Sequence, residues 1–184
     1  MKEENPPSIP VNVPALTVSF DAEQIGDQLS WAVIDGLKDI WQYYGKHAGS
    51  VYFETGCDLT VVLKGYGDKS NFLGFKVLDA TIVSTPRSYD PPTSTASPFT
   101  GGHGATRVRD FAYFDAAPDS ESTRMKMLAF STSLKVASAQ GAWKLSMVLT
   151  VCIHYNNSKS ETRVFTFDPE AQVGNGSRQP WAGR

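Results

Sequence analysis

The chain has 184 residues, 41% of them hydrophobic and 20% charged, with a formal net charge of −2. That length suits one domain of roughly 100–200 residues, and that composition excludes a disordered chain, which carries too little apolar material to bury. The 17 lysines and arginines are spread along the sequence, so no basic field exists to hold a nucleic acid.

Residues 1–10 are polar and include Pro6, Pro7 and Pro10, which reads as a flexible N-terminal arm preceding a domain over residues 11–171. The arm lacks the apolar stretch of a signal peptide, and no apolar run approaches the ~20 residues of a spanning helix, so a cytoplasmic protein without membrane contact is expected. Val11, Val13, Leu16, Val18 and Phe20 then alternate as a strand, and Pro14 within it points to a sheet edge, because proline cannot donate to a ladder.

Over residues 22–44 the apolar spacing changes: Ile25, Leu29, Ala32, Val33, Leu37, Ile40, Trp41 and Tyr44 recur every three or four positions, which predicts a helix. Asp21 and Gln24 have the spacing of a capping box, and Gly45 stands where the helix would stop. Trp31 and Ile34 lie off the stripe, and Gly26 and Gly36 would each cost about 1 kcal/mol in a helix interior. A strand over residues 29–34 is the alternative.

Residues 51–53, 59–64 and 72–83 are rich in branched and aromatic side chains and separated by turn material, the pattern of consecutive antiparallel strands. Residues 84–106 hold Pro86, Pro91, Pro92 and Pro98 and end in Gly101-Gly102-His103-Gly104; so long a loop in a compact domain is either functional or disordered. Strands are expected again over 108–114 and 125–138, on either side of an acidic turn at 115–121. The sharpest signal is Leu145, Met147, Leu149, Val151, Ile153 and Tyr155 alternating with Ser146, Val148, Thr150, Cys152 and His154, a long strand with one face in the core. The turn material 156–159 joins it to another alternating run, 162–167, as a hairpin. Residues 172–184 read as a peripheral tail. Many short strands without βαβ alternation predict a mainly β, antiparallel sandwich carrying one helix.

The segment Val164-Phe165-Thr166-Phe167-Asp168-Pro169-Glu170, followed by Val173-Gly174-Asn175, resembles the end of the AidA/PixA inclusion-body proteins and of the small bacterial DP-EP proteins. The resemblance implies an immunoglobulin-like β-sandwich in a bacterial protein without established catalysis, and it transfers no functional residues. The helix expected over 22–44 departs from the family pattern. Asp168-Pro169 also has a plain physical reading: Asp accepts hydrogen bonds from the following backbone, and Pro blocks further ladder pairing.

Chemistry has few carriers. His47, His103 and His154 are scattered, and neither C-x-x-C nor H-E-x-x-H spacing is present, so no metal site is expected. Only Cys152 and His154, two apart on one strand face, share a neighbourhood. Cys57 and Cys152 sit in apolar surroundings and are expected as free, buried, unreactive thiols. No G-x-S-x-G elbow accompanies the glycine run at 101–104, and Asp115, Asp119 and Glu121 do not match a calcium loop. Neither an enzyme nor a cofactor is therefore expected. The remaining candidates for ligand contact are the aromatics Trp31, Trp41 and Tyr44, together with His103 in the glycine loop. These readings point to a non-enzymatic binding or self-assembly module, a homo-oligomer through its edge strands or aromatic face. The alternative is a carbohydrate or small-ligand domain using the aromatic cluster and loop 84–106.

Overall fold

The computed structural model describes residues 13–35, 38–39, 50–86, 96–116, 124–138, 141–167 and 170–174. The strands are β1 (Ala15–Asp21), β2 (Ser30–Asp35), β3 (Lys38–Asp39), β4 (Ser50–Glu54), β5 (Asp58–Asp68), β6 (Phe72–Pro86), β7 (Ala105–Arg107), β8 (Ala112–Ala116), β9 (Arg124–Lys135), β10 (Gly141–Tyr155), β11 (Ser160–Phe167) and β12 (Glu170–Gly174). They form two sheets, one ordered β3-β2-β1-β5-β9-β8 and the other β4-β12-β10-β6-β7, with β11 also paired to β10. Phe20 of the first sheet stacks on Phe165 of the second at 4.9 Å and meets Phe75 edge-on at 5.0 Å. The two sheets thus share one core.

The β10–β11 hairpin follows the sequence pattern. Leu145, Met147, Leu149, Val151 and Ile153 are buried, while Val148 and His154 on the opposite face are exposed. Met147 pairs with Phe167 and His154 with Ser160, and the turn closes through a 3.0 Å bond from Tyr155 N–H to the Lys159 carbonyl. Beyond Asp168-Pro169, β12 keeps the same register along β10, with Glu170 opposite Lys144 and Val173 opposite Gly141. Residues 172–174 of the expected tail therefore lie in a strand, and β12 is flanked on its other side by β4.

On the other side of β10, β6 is interrupted twice. The ladder skips Leu73 between Tyr155/Phe72 and His154/Gly74, and Leu78 between Val151/Val77 and Thr150/Asp79. Each extra residue reverses which side chains face inward, so Phe72, Phe75 and Ala80 can all be buried although their spacing is not even. Both bulge leucines are pushed outward, Leu73 being 55% and Leu78 47% exposed.

Among the described residues there is no helix, which corrects the helix expected over 22–44 where it can be seen. Residues 30–35 are β2, pairing with β1 from Ala15/Ile34 to Ser19/Ser30. One of the two capping-box bonds forms: Asp21 N–H donates to Gln24 Oε1 at 2.9 Å, whereas Asp21 Oδ1 accepts from the Glu23 N–H at 2.9 Å and the Gln24 N–H goes to the Asp21 carbonyl at 3.2 Å. They fasten a turn instead of a first helical turn, because Gln24 Nε2 also ties down the carbonyls of Gly26 and Gln28. Ile25, the first residue of the helical stripe, is fully exposed, whereas Leu29 and Val33 are buried with Trp31 packed between them against the core. Residues 36–37 and 40–44 lie outside the described residues.

Two further expectations change. β1 is not an edge strand, since it pairs with β2 on one side and β5 on the other; Pro14 precedes the strand, and its carbonyl accepts the Thr60 N–H at 2.9 Å. The architecture is not purely antiparallel, because β1–β5 and β4–β12 pair in parallel. Nor do β4, β5 and β6 neighbour one another in sequence order: β5 belongs to the first sheet and its neighbours in sequence to the second. The sheets are also stitched at their margins, where Leu29 N–H donates to the Thr166 carbonyl at 2.9 Å and Phe99 bridges Val136.

A cleft where the chain crosses between sheets

After β7 the chain leaves the second sheet and enters the first through residues 108–111. Val108 is buried, and its N–H donates to the Ala80 carbonyl at 2.8 Å. Arg109 is pinned by β9: its N–H donates to Ser133 Oγ at 3.3 Å and its carbonyl accepts from Ser131 Oγ. Asp110 then takes a left-handed backbone, φ 57°, a conformation Asp tolerates better than most side chains. This reversal and the Leu78 bulge border an open cleft of about 420 Å³, lined by residues 77–80, 107–111 and Tyr113.

The cleft has a charged rim, and Ala80 and Val108 are buried beneath it. Arg107 Nε donates to Asp79 Oδ1 at 2.6 Å, and Asp79 Oδ2 accepts from Thr81 Oγ1 at 3.1 Å. Tyr113 Oη accepts the Val77 N–H at 3.0 Å, which leaves its own proton free to donate. The Arg109 guanidinium and the Asp110 carboxylate have no hydrogen-bond or ion-pair partner among the described residues. Bulges are common beside binding sites because they re-aim side chains and end pairing, and here the bulge brings Leu78 and Asp79 to the cleft.

The residues singled out from the sequence lie elsewhere. Trp31 is half-buried on β2 and stacks on Phe167 at 5.9 Å, so its ring serves the core. His103 is exposed in the loop before β7. Neither lines the cleft, and Trp41 and Tyr44 lie outside the described residues, as does His47. Cys152 and His154 do share the outward face of β10. Both cysteines are free and only partly buried; burial, then the nearby Glu54 charge, pushes the Cys57 thiol above its usual pKa. Among the described residues no group of three or more His, Cys, Asp and Glu is placed to hold a metal ion, and no helix is long and apolar enough to cross a membrane.

Asp79, Arg107, Arg109 and Asp110 carry no motif spacing, and sequence reasoning passed over them. The available signals were the Arg-x-Arg-Asp run at 107–110, where a strand pattern stops, and Asp79 inside an otherwise apolar strand. Compared with protein-family models, curated proteins and solved structures, the chain matches none.

Proposed function

We propose that this chain is a non-enzymatic binding module, built as an immunoglobulin-like β-sandwich, that takes a small ligand in the cleft beside Leu78. The observation that carries the reading is a cleft whose lining includes the Arg109 guanidinium and the Asp110 carboxylate, neither with a partner among the described residues. Small-molecule sites combine apolar lining with a few polar groups, and about 420 Å³ falls at the small end of their usual range of about 300–1,000 Å³. Of the two carboxylates in the lining, Asp79 is already held by Arg107 and Thr81, which supports a binding role for the rim.

A thermal-shift screen of small polar compounds tests this. Hits should raise the melting temperature of the wild-type chain and lose that effect in Arg109→Ala. Hits that stabilise both chains equally would place binding outside the cleft.

Self-association is the second reading, favoured by exposed apolar side chains on the outward face of the second sheet. Val148 is 38% and Val164 52% exposed, on adjacent paired strands, with Leu78 beyond them on β6. The resemblance of residues 164–175 to the AidA/PixA and DP-EP proteins points the same way. Light scattering should then find an oligomer that Val164→Lys disperses; a monomer at high concentration removes this reading.

A further inference from the structure

We propose that the ligand class of this cleft is a neutral polyhydroxylated molecule, a sugar or sugar-like polyol; the inference rests on the cleft being the binding site. The reason lies in the balance of its polar groups. Two arginines, Arg107 and Arg109, stand against two carboxylates, Asp79 and Asp110, among the lining residues. An anion entering there would gain the guanidinium groups and meet the carboxylates at the same time, so the net field gives it little advantage. A hydroxyl is both donor and acceptor, and the rim supplies both kinds of partner.

The polar inventory suits adjacent hydroxyls. Arg107 spends Nε on Asp79, and its terminal nitrogens have no other partner among the described residues. Arg109 presents a whole guanidinium from a backbone that Ser131 and Ser133 hold in place. Tyr113 contributes one free O–H proton, its oxygen being occupied by the Val77 N–H. Asp110 supplies acceptors on the same short connection. Donors and acceptors drawn from one short connection suit adjacent hydroxyls, and hydrogen bonds to charged groups are the stronger ones. Phe111, Tyr113, Val77 and Leu78 supply apolar surface for the C–H face of a sugar ring.

The position of Asp110 permits a clean substitution. Its φ of 57° is one that glycine adopts without strain, so Asp110→Gly removes the carboxylate while keeping the backbone turn. Amide shifts of the 15N-labelled chain would be followed during titration with maltose, cellobiose and lactose, and separately with sulfate, phosphate and citrate at constant ionic strength. The expected result is a saturable movement of the amides of residues 77–80 and 107–113 with at least one neutral disaccharide and with none of the anions. Asp110→Gly and Arg109→Met should each weaken that binding at least ~10-fold, the loss expected for a hydrogen bond to a charged group, with melting temperatures confirming that both variants fold. If the same amides move only with the anions, and Asp110→Gly tightens that binding, the cleft stands as a site and the polyol class is overturned. If no probe moves them, the site and the class fall together.

Discussion

At Gly65 an added Cβ would meet the Phe75 ring at 2.6 Å and 2.7 Å and the Phe20 ring at 3.0 Å. The glycine lets two buried rings rest against the backbone of β5, and Gly67 does the same for Phe72. Gly65→Ala should therefore force Phe75 off its position and cost about 1–3 kcal/mol, read from urea denaturation. Thr60 predicts the opposite sign. It is 1% exposed, and its Oγ1 has no hydrogen-bond partner among the described residues, so Thr60→Val should raise stability by about 1 kcal/mol by removing an unsatisfied hydroxyl of nearly the same shape.

Lys64 ties a single residue to pH. Burial first, and the Lys126 charge second, hold its ammonium below the usual 10.5. Between the lowered value and 10.5 the unfolded chain binds more protons than the folded one, so stability contributed by this group rises with pH across that window and is lowest below it. Lys64→Met is expected to be more stable than the parent at neutral pH. That advantage should shrink as the pH approaches 10.5, a trend that paired denaturation curves would reveal.

Among the elements, β10 was legible because a strict period of two survives over its whole length: Leu145 to Ile153 bury every second side chain against the first sheet. For β2 the strand alternative over residues 29–34 is the one realised, and the helical pattern has an equally physical source. Asp21 N–H bonds the Gln24 side chain as at a helix start, and Ile25, Leu29 and Val33 happen to repeat at helical intervals. Tertiary pairing with β1 decides the outcome, and Trp31, off the helical stripe, was the residue that signalled it. The bulges of β6 were invisible because one extra residue leaves an apolar run looking like any other strand. They carry a sharp prediction: Leu78→Thr should change stability by no more than about 0.5 kcal/mol, as for an exposed position. Deleting Leu78 should leave unfolding cooperative, because the ladder already skips this residue and Phe75, Val77, Ala80 and Ile82 keep one face in a regular strand. Circular dichroism melts of the two variants test both outcomes; loss of a cooperative transition on deletion would contradict the bulge.

For the molecule as a whole, the cleft exists only because β7 and β8 belong to different sheets, so that a short connection must cross from one to the other beside an interrupted strand. Sequence spacing places Asp79 well away from Arg107; the pairing of Thr81 with Arg107 brings them to 2.6 Å. Residue chemistry alone marks Trp31 and His103 as ligand contacts, whereas the fold packs the first against the core and leaves the second in an exposed loop. A crystal structure of the chain soaked with the best stabilising compound would decide between these locations. The predicted result is a ligand lying over Ala80 and Val108 with polar contacts to Arg109 and Asp110. A ligand seated on Trp31, on His103 or on the outward face around Val164, with the cleft empty, would contradict it.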